Sequence, residues 1–305
     1  TRLQGGKDSA STRYIYTRLD PITRSIFHPD DDPCLEYLNE EGMSIEPTWY
    51  CPVIPMVLIN GIDGIGTGWS TSVPNFDPYG VIRNCRRYIK GEELEAMLPW
   101  YAGFRGTIEW GREEGKCDVA GVIEQTGESQ ATITELPVKK WTQDYREFLE
   151  ENLPKGERKK EGAKLLDDYT EHHTEKHVHF ELQLSQQQKK GELEKVFKLR
   201  SSISMNNMML FDADGKMHKY ESVTDIIKDY AQVRMTMYEK RKAYLLKKLT
   251  RECAVLSAKA RFIKLVVARE LAIKRRKIAD LVQELRRRGF KAFNELEGEG
   301  PAAEG

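Results

Sequence analysis

The residues best suited to chemistry lie at the start of the chain, in Gly5-Gly6-Lys7-Asp8-Ser9-Ala10-Ser11-Thr12-Arg13-Tyr14. Two glycines let the backbone approach a ligand closely, a lysine follows, and small residues lead to an arginine–tyrosine pair. A phenol ionises near pH ~10, so Tyr14 can serve as a nucleophile only where positive charge stabilises the phenolate. Arg13 is adjacent and carries a fixed charge suited to the extra negative charge on a pentacovalent phosphorus. The pair is expected to open a helix whose free N–H groups and dipole would favour an anion. An ordinary structural contact at a helix start fits the same two residues.

A second candidate is Asn60-Gly61-Ile62-Asp63-Gly64-Ile65-Gly66-Thr67-Gly68-Trp69-Ser70. A nucleotide-phosphate loop of the Walker type needs Gly-Lys-Ser/Thr, but Trp69 stands where the lysine should be, and the dinucleotide pattern lacks its third glycine. What is left is an apolar Ile65 between two glycines, on a backbone that can come very near another molecule. Such a residue can act as a wedge that enters a base step and kinks a duplex. It also fits a buried isoleucine in a tight turn.

The elements that must position these residues divide along the chain. Eleven of the twelve prolines precede Lys155, so a Pro/Gly-punctuated first part gives way to a part free to form long helices. Ile15, Leu19, Ile22 and Ile26 predict a helix over 14–27, ending in the solvated acidic turn His28-Pro29-Asp30-Asp31-Asp32-Pro33, with another short helix over 34–39. The proline-interrupted run Tyr50–Asn60 reads as an edge strand or irregular segment. Segments 107–110, 119–123, 131–134 and 178–184 read as strands of antiparallel sheet. From 223 to 289, Ile226, Tyr230, Val233, Met237, Tyr244, Leu256, Ile263, Val267 and Leu271 recur near multiples of 3.5. Ser222 with Asp225 supplies an N-cap, turns fall near 273–279, and the stretch ends at Arg288-Gly289. So long a helical stretch must lean on partner helices, which predicts a coiled-coil arm. The tail from 297 to 305 is low in complexity and is expected to be disordered.

Composition bounds the function classes. The 305 residues carry 48 basic and 48 acidic side chains, and the mean hydropathy is −0.61. The balance hides an asymmetry: residues 195–291 hold 25 Lys and Arg against 10 Asp and Glu. A basic block suits a polyanion partner, and equally a solvated helix surface. No apolar run approaches the ~20 residues of a membrane span, and the first residues have no signal-peptide core. The first residue is not Met, which suggests an internal piece of a longer protein. Five scattered cysteines fit a reducing compartment and neither a disulfide scaffold nor a zinc ribbon.

Taken together, the motifs Gly5-Gly6-Lys7-Asp8, Arg13-Tyr14-Ile15-Tyr16, Glu46-Pro47 with Trp49-Tyr50, Asn60-Gly61 and Gly64 to Ser70 closely resemble the eukaryotic DNA topoisomerase II family. Thr134-Glu135-Leu136-Pro137-Val138, Trp141-Thr142-Gln143 and Val196-Phe197-Lys198-Leu199 extend the resemblance in order, from residue 1 to about Phe290. It implies an α+β multidomain segment of the breakage–reunion core of a type IIA topoisomerase. Residues 1–50 would be the end of a winged-helix domain, 51–222 a tower-like domain, 223–290 a coiled-coil arm of the C-gate and 291–305 a tail.

By the same resemblance Tyr14 matches the tyrosine that becomes linked to a DNA 5′ phosphate, Arg13 the transition-state arginine, and Ile65 the isoleucine that bends the gate duplex. Lys7, Trp141, Lys198, Leu199, Arg200, Ser201, Ser202, Ile203, Ser204, Met205, Asn206 and Asn207 match DNA-contacting positions; Thr12 and Arg200 depart from the family pattern. The implied partners are double-stranded DNA and, in the full enzyme, a second copy, with no membrane. Mg²⁺ and ATP would be bound by Toprim and ATPase domains outside this chain, which would therefore be inactive alone. The implied location is the nucleus, or an organelle. His172, His173, His177 and His179 with Glu171 and Glu175 are read as ordinary surface residues, and no metal site is assigned. Two other readings are a bacterial-type relative such as gyrase or topoisomerase IV, and a catalytically inactive DNA-bending or dimerisation module.

Overall fold

The computed structural model describes residues 1–153, 165–185 and 190–292. In chain order they form a 3-10 turn at Thr12–Tyr14, α1 (Thr23–Ile26), a 3-10 helix at Pro29–Cys34, β1 (Tyr37–Glu40) and β2 (Met43–Pro47). Next come α2 (Met56–Asn60), β3 (Ile62–Gly66), β4 (Trp69–Val73), α3 (Pro78–Lys90), β5 (Thr107–Trp110), β6 (Lys116–Ala120), β7 (Val122–Gln125) and β8 (Gln130–Glu135). They are followed by α4 (Thr142–Glu151), β9 (Leu166–Glu171), β10 (Phe180–Leu184), α5 (Lys190–Val196), β11 (Arg200–Ser204), β12 (Met208–Phe211), β13 (Met217–Tyr220), α6 (Val223–Val267) and α7 (Ile278–Arg287). Two compact units result: residues 1–26 with 52–233, and residues 27–51 with 234 onward.

The first unit has two cores. One lies beneath an antiparallel sheet in the order β7-β8-β10-β9. Period-2 alternation sends Ala131, Ile133, Phe180, Leu182 and Leu184 to one face, where Tyr145 and Leu149 of α4 and Leu193, Phe197 and Leu199 cover them. Tyr145 is fully buried, and its hydroxyl donates to the Phe197 carbonyl at 2.8 Å, so its polar atom is satisfied. The other core joins Leu58, Val73, Phe76, Val81, Cys117, Met205 and Met208 to the start of α6, through Val223, Ile226 and Ile227. The boundaries of α3 follow from its sequence: the Asp77 carboxylate accepts from the Gly80 N–H, Pro78 opens the helix, and Gly91 closes it at φ 72°. At the start of α6 the Ser222 hydroxyl donates to the Asp225 carboxylate at 2.6 Å and accepts from the Asp225 N–H at 3.2 Å, the cap expected from sequence.

In the second unit, Pro29–Cys34 and the β1–β2 hairpin accompany α6 and α7. The hairpin turns at Glu41 and Gly42, both at positive φ, as a tight two-residue turn between right-twisted strands requires. Asp31 is only 3% exposed, and its carboxylate accepts from Arg234 at 2.7 Å and lies 3.5 Å from Arg241 Nε. Both guanidiniums stack on the Tyr238 ring, at 4.1 and 4.9 Å from its centroid. Leu246, Leu249, Leu256, Ile263 and Val267 are exposed along α6.

Several elements differ from the sequence reading. The helix expected over 14–27 is confined to Thr23–Ile26, because Pro21 interrupts the periodic stretch and disfavours helical backbone at the residue before it. Pro29–Cys34 is a 3-10 helix rather than a solvated turn, with Asp31 buried as the partner of two arginines. Residues 37–40 are a strand, not a helix, since the Glu41-Gly42 turn pairs them with 43–47. Tyr50–Asn60 contains no strand: Met56–Asn60 is helical, opened after Pro55 and stopped by Gly61 at φ 65°. The strands expected at 107–110, 119–123, 131–134 and 178–184 are present as β5, β6 with β7, β8 and β10. α6 starts where expected, and the break before α7 spans 268–277. The tail expected to be disordered lies outside the described residues.

Candidate functional site

Residues 1–8 form a tight turn docked on the first unit. The carbonyls of Arg2 and Leu3 accept from the N–H groups of Thr142 and Gln143, at 3.4 and 3.0 Å, and so cap the open N-terminus of α4. The Arg2 guanidinium pairs with Glu135 and donates to the Leu136 carbonyl at 3.0 Å. Gly5, at φ 63°, lies directly against the indole of Trp141, where a Cβ would overlap the ring. Trp141 thus supports the glycine turn. Lys7 follows, exposed, with Nζ 3.7 Å from Asp144 Oδ1.

Arg13 and Tyr14 end the 3-10 turn Thr12–Tyr14, and the backbone continues extended at Ile15. The helix expected to start here is absent, so no helix dipole acts on an anion at this point. What remains is the pair itself: Tyr14 is 71% exposed and the Arg13 guanidinium carbon lies 4.9 Å from its ring centroid. The contrast with the buried, hydrogen-bonded Tyr145 is sharp. Of these two phenols only Tyr14 can reach a macromolecular substrate, and it has a cation at hand.

Ile65 sits on the β3–β4 hairpin, paired with Ser70, and is 92% exposed. The buried-isoleucine alternative is therefore ruled out. Gly61 at the foot of β3 packs against the Asn75 side chain, whose Nδ2 donates to the carbonyls of Ile59 and Asn60 at 3.0 and 2.9 Å. β4 is tied to Asn207 and to the start of β12. The Ser72 N–H donates to the Asn207 carbonyl and Asn207 Nδ2 to Ser70 Oγ, both at 2.9 Å, and the Met209 N–H donates to Thr71 Oγ1 at 3.1 Å.

The stretch 198–207 splits by the alternation of β11. Arg200, Ser202 and Ser204 are exposed, Ser201 and Ile203 half-buried. Leu199 and Met205, also matched to DNA-contacting positions, are each packed by their side chains in one of the two cores. Arg200 Nε donates to Glu194 at 2.6 Å, the Lys198 ammonium lies 4.7 Å from the centre of the Phe148 ring, and Asn206 packs on Gly115. Lys140 donates to the Lys198 carbonyl at 2.6 Å, and burial with the nearby Lys198 charge holds its ammonium below the usual lysine range.

Sequence reasoning missed Arg2, Gly5, Lys139 and Lys140 as supporting residues. Only Gly5 carried a signal, as one of two adjacent glycines. Among the described residues no group of three or more His, Cys, Asp or Glu side chains is placed to hold a metal ion, and no helix is long and apolar enough to cross a membrane.

With this geometry in view, residues 1–297 match the family model that describes the A chain of DNA gyrase/topoisomerase IV. The chain belongs to the type II DNA topoisomerase family. It is 44% identical over 301 residues to the DNA topoisomerase 2 of Arabidopsis thaliana and 42% identical over 299 residues to that of Saccharomyces cerevisiae. Each alignment covers 96% of this chain and 20% of the relative, so the chain spans about a fifth of the length of the curated topoisomerases it matches. The fold is similar to the crystal structure of the Plasmodium falciparum topoisomerase II DNA-binding, cleavage and re-ligation domain. There the TM-score is 0.82 at 41% identity, covering 97% of this chain and 40% of that one. The mixed α/β architecture is thus that of a topoisomerase II cleavage domain.

Proposed function

We propose that this chain is a segment of the breakage–reunion core of an ATP-dependent type II topoisomerase, and that Tyr14 is its nucleophile. The exposed Arg13–Tyr14 pair carries the reading. The Tyr14 oxygen attacks a backbone phosphorus as the phosphorus–O3′ bond breaks, leaving a 5′-phosphotyrosyl link and a free 3′ hydroxyl. The phenol proton is lost and the departing 3′ oxygen gains one. Arg13 stabilises the charge that accumulates on the phosphoryl oxygens. One phosphodiester replaces another, so the reverse attack by the 3′ hydroxyl reseals the strand with no external energy.

Ile65 enters a base step and bends the gate duplex, an action supported by its exposure at the end of an anchored hairpin. Lys7 and the exposed edge of β11, through Arg200, Ser202 and Ser204, face the phosphate backbone, with Lys198, Ser201, Ile203, Asn206 and Asn207 beside them. Mg²⁺ and ATP would be held by other parts of the protein, so none of these steps runs through them.

In this reading residues 1–50 end a winged-helix domain, 51–222 form the tower, and 223–290 form a coiled-coil arm. The exposed apolar residues of α6 support an arm that pairs with other helices, and the working enzyme is a homodimer in the nucleus or an organelle. The test is supercoil relaxation. The purified chain should leave supercoiled plasmid unchanged with Mg²⁺ and ATP, while the intact enzyme relaxes it; relaxation by this chain alone would overturn the division of labour proposed here.

A further inference from the structure

The two strands of the hairpin that carries Ile65 are held unequally. β4 has three hydrogen bonds to residues 207–209. β3, which bears Ile65 itself, has one side-chain tie outside the hairpin among the described residues: the carboxylate of Asp63, two positions before Ile65, is paired with the ammonium of Lys139. Side chains two apart on a strand share a face, so this tie acts on the face of β3 from which Ile65 projects.

Both partners are more than half exposed, at 52% and 61%, and such pairs add little to global stability. Yet the backbone at Lys139 adopts a conformation that ordinary side chains resist. Lys139 is one of five described non-glycine residues at positive φ, at 65°. A left-handed backbone is unfavourable for a residue with a Cβ, and persists where the surroundings impose it. Its neighbour Lys140 is pinned to the carbonyl of Lys198, another of the five, at φ 52°. The turn is thus fixed on its far side and presents Lys139 to the hairpin.

We infer that Lys139 is a positioning residue for strand bending, which through its ion pair with Asp63 sets the direction in which Ile65 points. This rests on the wedge role proposed for Ile65. A wedge must arrive at a base step with its own direction fixed, because any freedom left in the hairpin is lost on insertion and weakens the bend. Lys139 acts through Asp63 and need not touch DNA, which separates this role from that of a phosphate-binding lysine.

The test uses the intact enzyme and a short duplex with a fluorophore at each end, so that bending raises energy transfer. Lys139→Met and Asp63→Asn should each lower the bent-to-straight ratio by about twofold to fivefold, the range an exposed ion pair can supply. The double variant should be no worse than either single one. Lys139→Arg should keep the bend, and the exchange Lys139→Asp with Asp63→Lys should restore most of it, with overall duplex affinity little changed throughout. If Asp63→Asn has no effect, or if the exchanged pair bends no better than Lys139→Met, the positioning role is overturned and Lys139 is a direct phosphate contact. Ile65→Ala is the separate control. If it leaves bending intact, the wedge reading fails and this inference falls with it; if it abolishes bending while the charge exchange does not rescue, only the Lys139 inference fails.

Discussion

Replacing Gly5 by alanine tests how the glycine turn is held. A Cβ at this position would overlap the Trp141 indole, and the φ of 63° is one that a residue with a Cβ resists. The left-handed backbone costs about 1–2 kcal/mol. Forcing a methyl group against a packed ring costs a further ~1–3 kcal/mol. Gly6 supplies the internal control: its φ is 91°, but a Cβ there meets nothing within 4 Å, so Gly6→Ala carries the backbone cost without the overlap. The difference between the two variants therefore isolates the Trp141 contact. It is read from hydrogen exchange at the Gln143 amide, which donates to the Leu3 carbonyl at 3.0 Å and loses its partner when the turn lifts. Gly5→Ala should speed that exchange about 5- to 150-fold beyond Gly6→Ala. Adding Trp141→Leu to Gly5→Ala should remove most of the excess. Equal exchange in the two alanine variants, or no relief from Trp141→Leu, would refute the claim that Trp141 supports the turn. In the intact enzyme the displaced turn should also slow DNA cleavage, since a shift of ~1 Å near reacting groups can cost about 100-fold.

Two further outcomes follow from other parts of the fold. Asp31→Ala leaves the Arg234 guanidinium buried without its carboxylate, which should cost about 3–5 kcal/mol in urea unfolding. Adding Arg234→Met should recover much of that loss; a cost below ~1 kcal/mol would mean that the buried pair does not hold 29–34 to α6. The Ser222 hydroxyl, helped by Lys228, holds the Asp225 carboxyl below the ordinary aspartate value of roughly 3.9. A carboxyl depressed in the folded state adds stability above its unfolded value, and that stability is lost as pH falls through the folded one. The stability advantage of the natural chain over Asp225→Asn should therefore shrink as pH drops below about 3.9, and a difference that does not vary with pH would argue against the cap.

The parts of this molecule that could be read from its sequence are those fixed by local chemistry. Ser222 and Asp225 announced the start of α6, because the serine oxygen accepts an open first-turn N–H while its hydroxyl donates to the carboxylate three residues on. Glycines flanking Ile65 left an apolar wedge and a buried isoleucine both open, and the exposure of the residue on its hairpin decides between them. Reading 14–27 as a helix failed because apolar spacing was weighed above Pro21, which the backbone cannot ignore.

The rest depended on long-range contacts. Arg234, Tyr238 and Arg241 share one face of α6 by spacing alone, but their partner Asp31 is 203 residues from Arg234 and looked like part of a solvated acidic run. The positive φ of Lys139 and its pairing with Asp63, 76 residues away, leave no mark in a turn spelled Pro-Val-Lys-Lys. Leu199 and Met205 were matched to DNA-contacting positions, and nothing in the local sequence showed that their side chains pack into the cores. Which side chains of a strand face inward depends on the neighbouring strand, here β6, which pairs with β11 in the register Ile203 to Cys117.

The central claim is that Tyr14 forms the covalent link to DNA. The direct measurement is to trap the intact enzyme on duplex DNA with denaturant, digest protein and DNA, and sequence the nucleotide-bearing peptide by mass spectrometry. The account predicts a 5′-phosphoryl nucleotide on Tyr14, lost in Tyr14→Phe while non-covalent duplex binding persists. An adduct on another residue, or one that survives Tyr14→Phe, would contradict it.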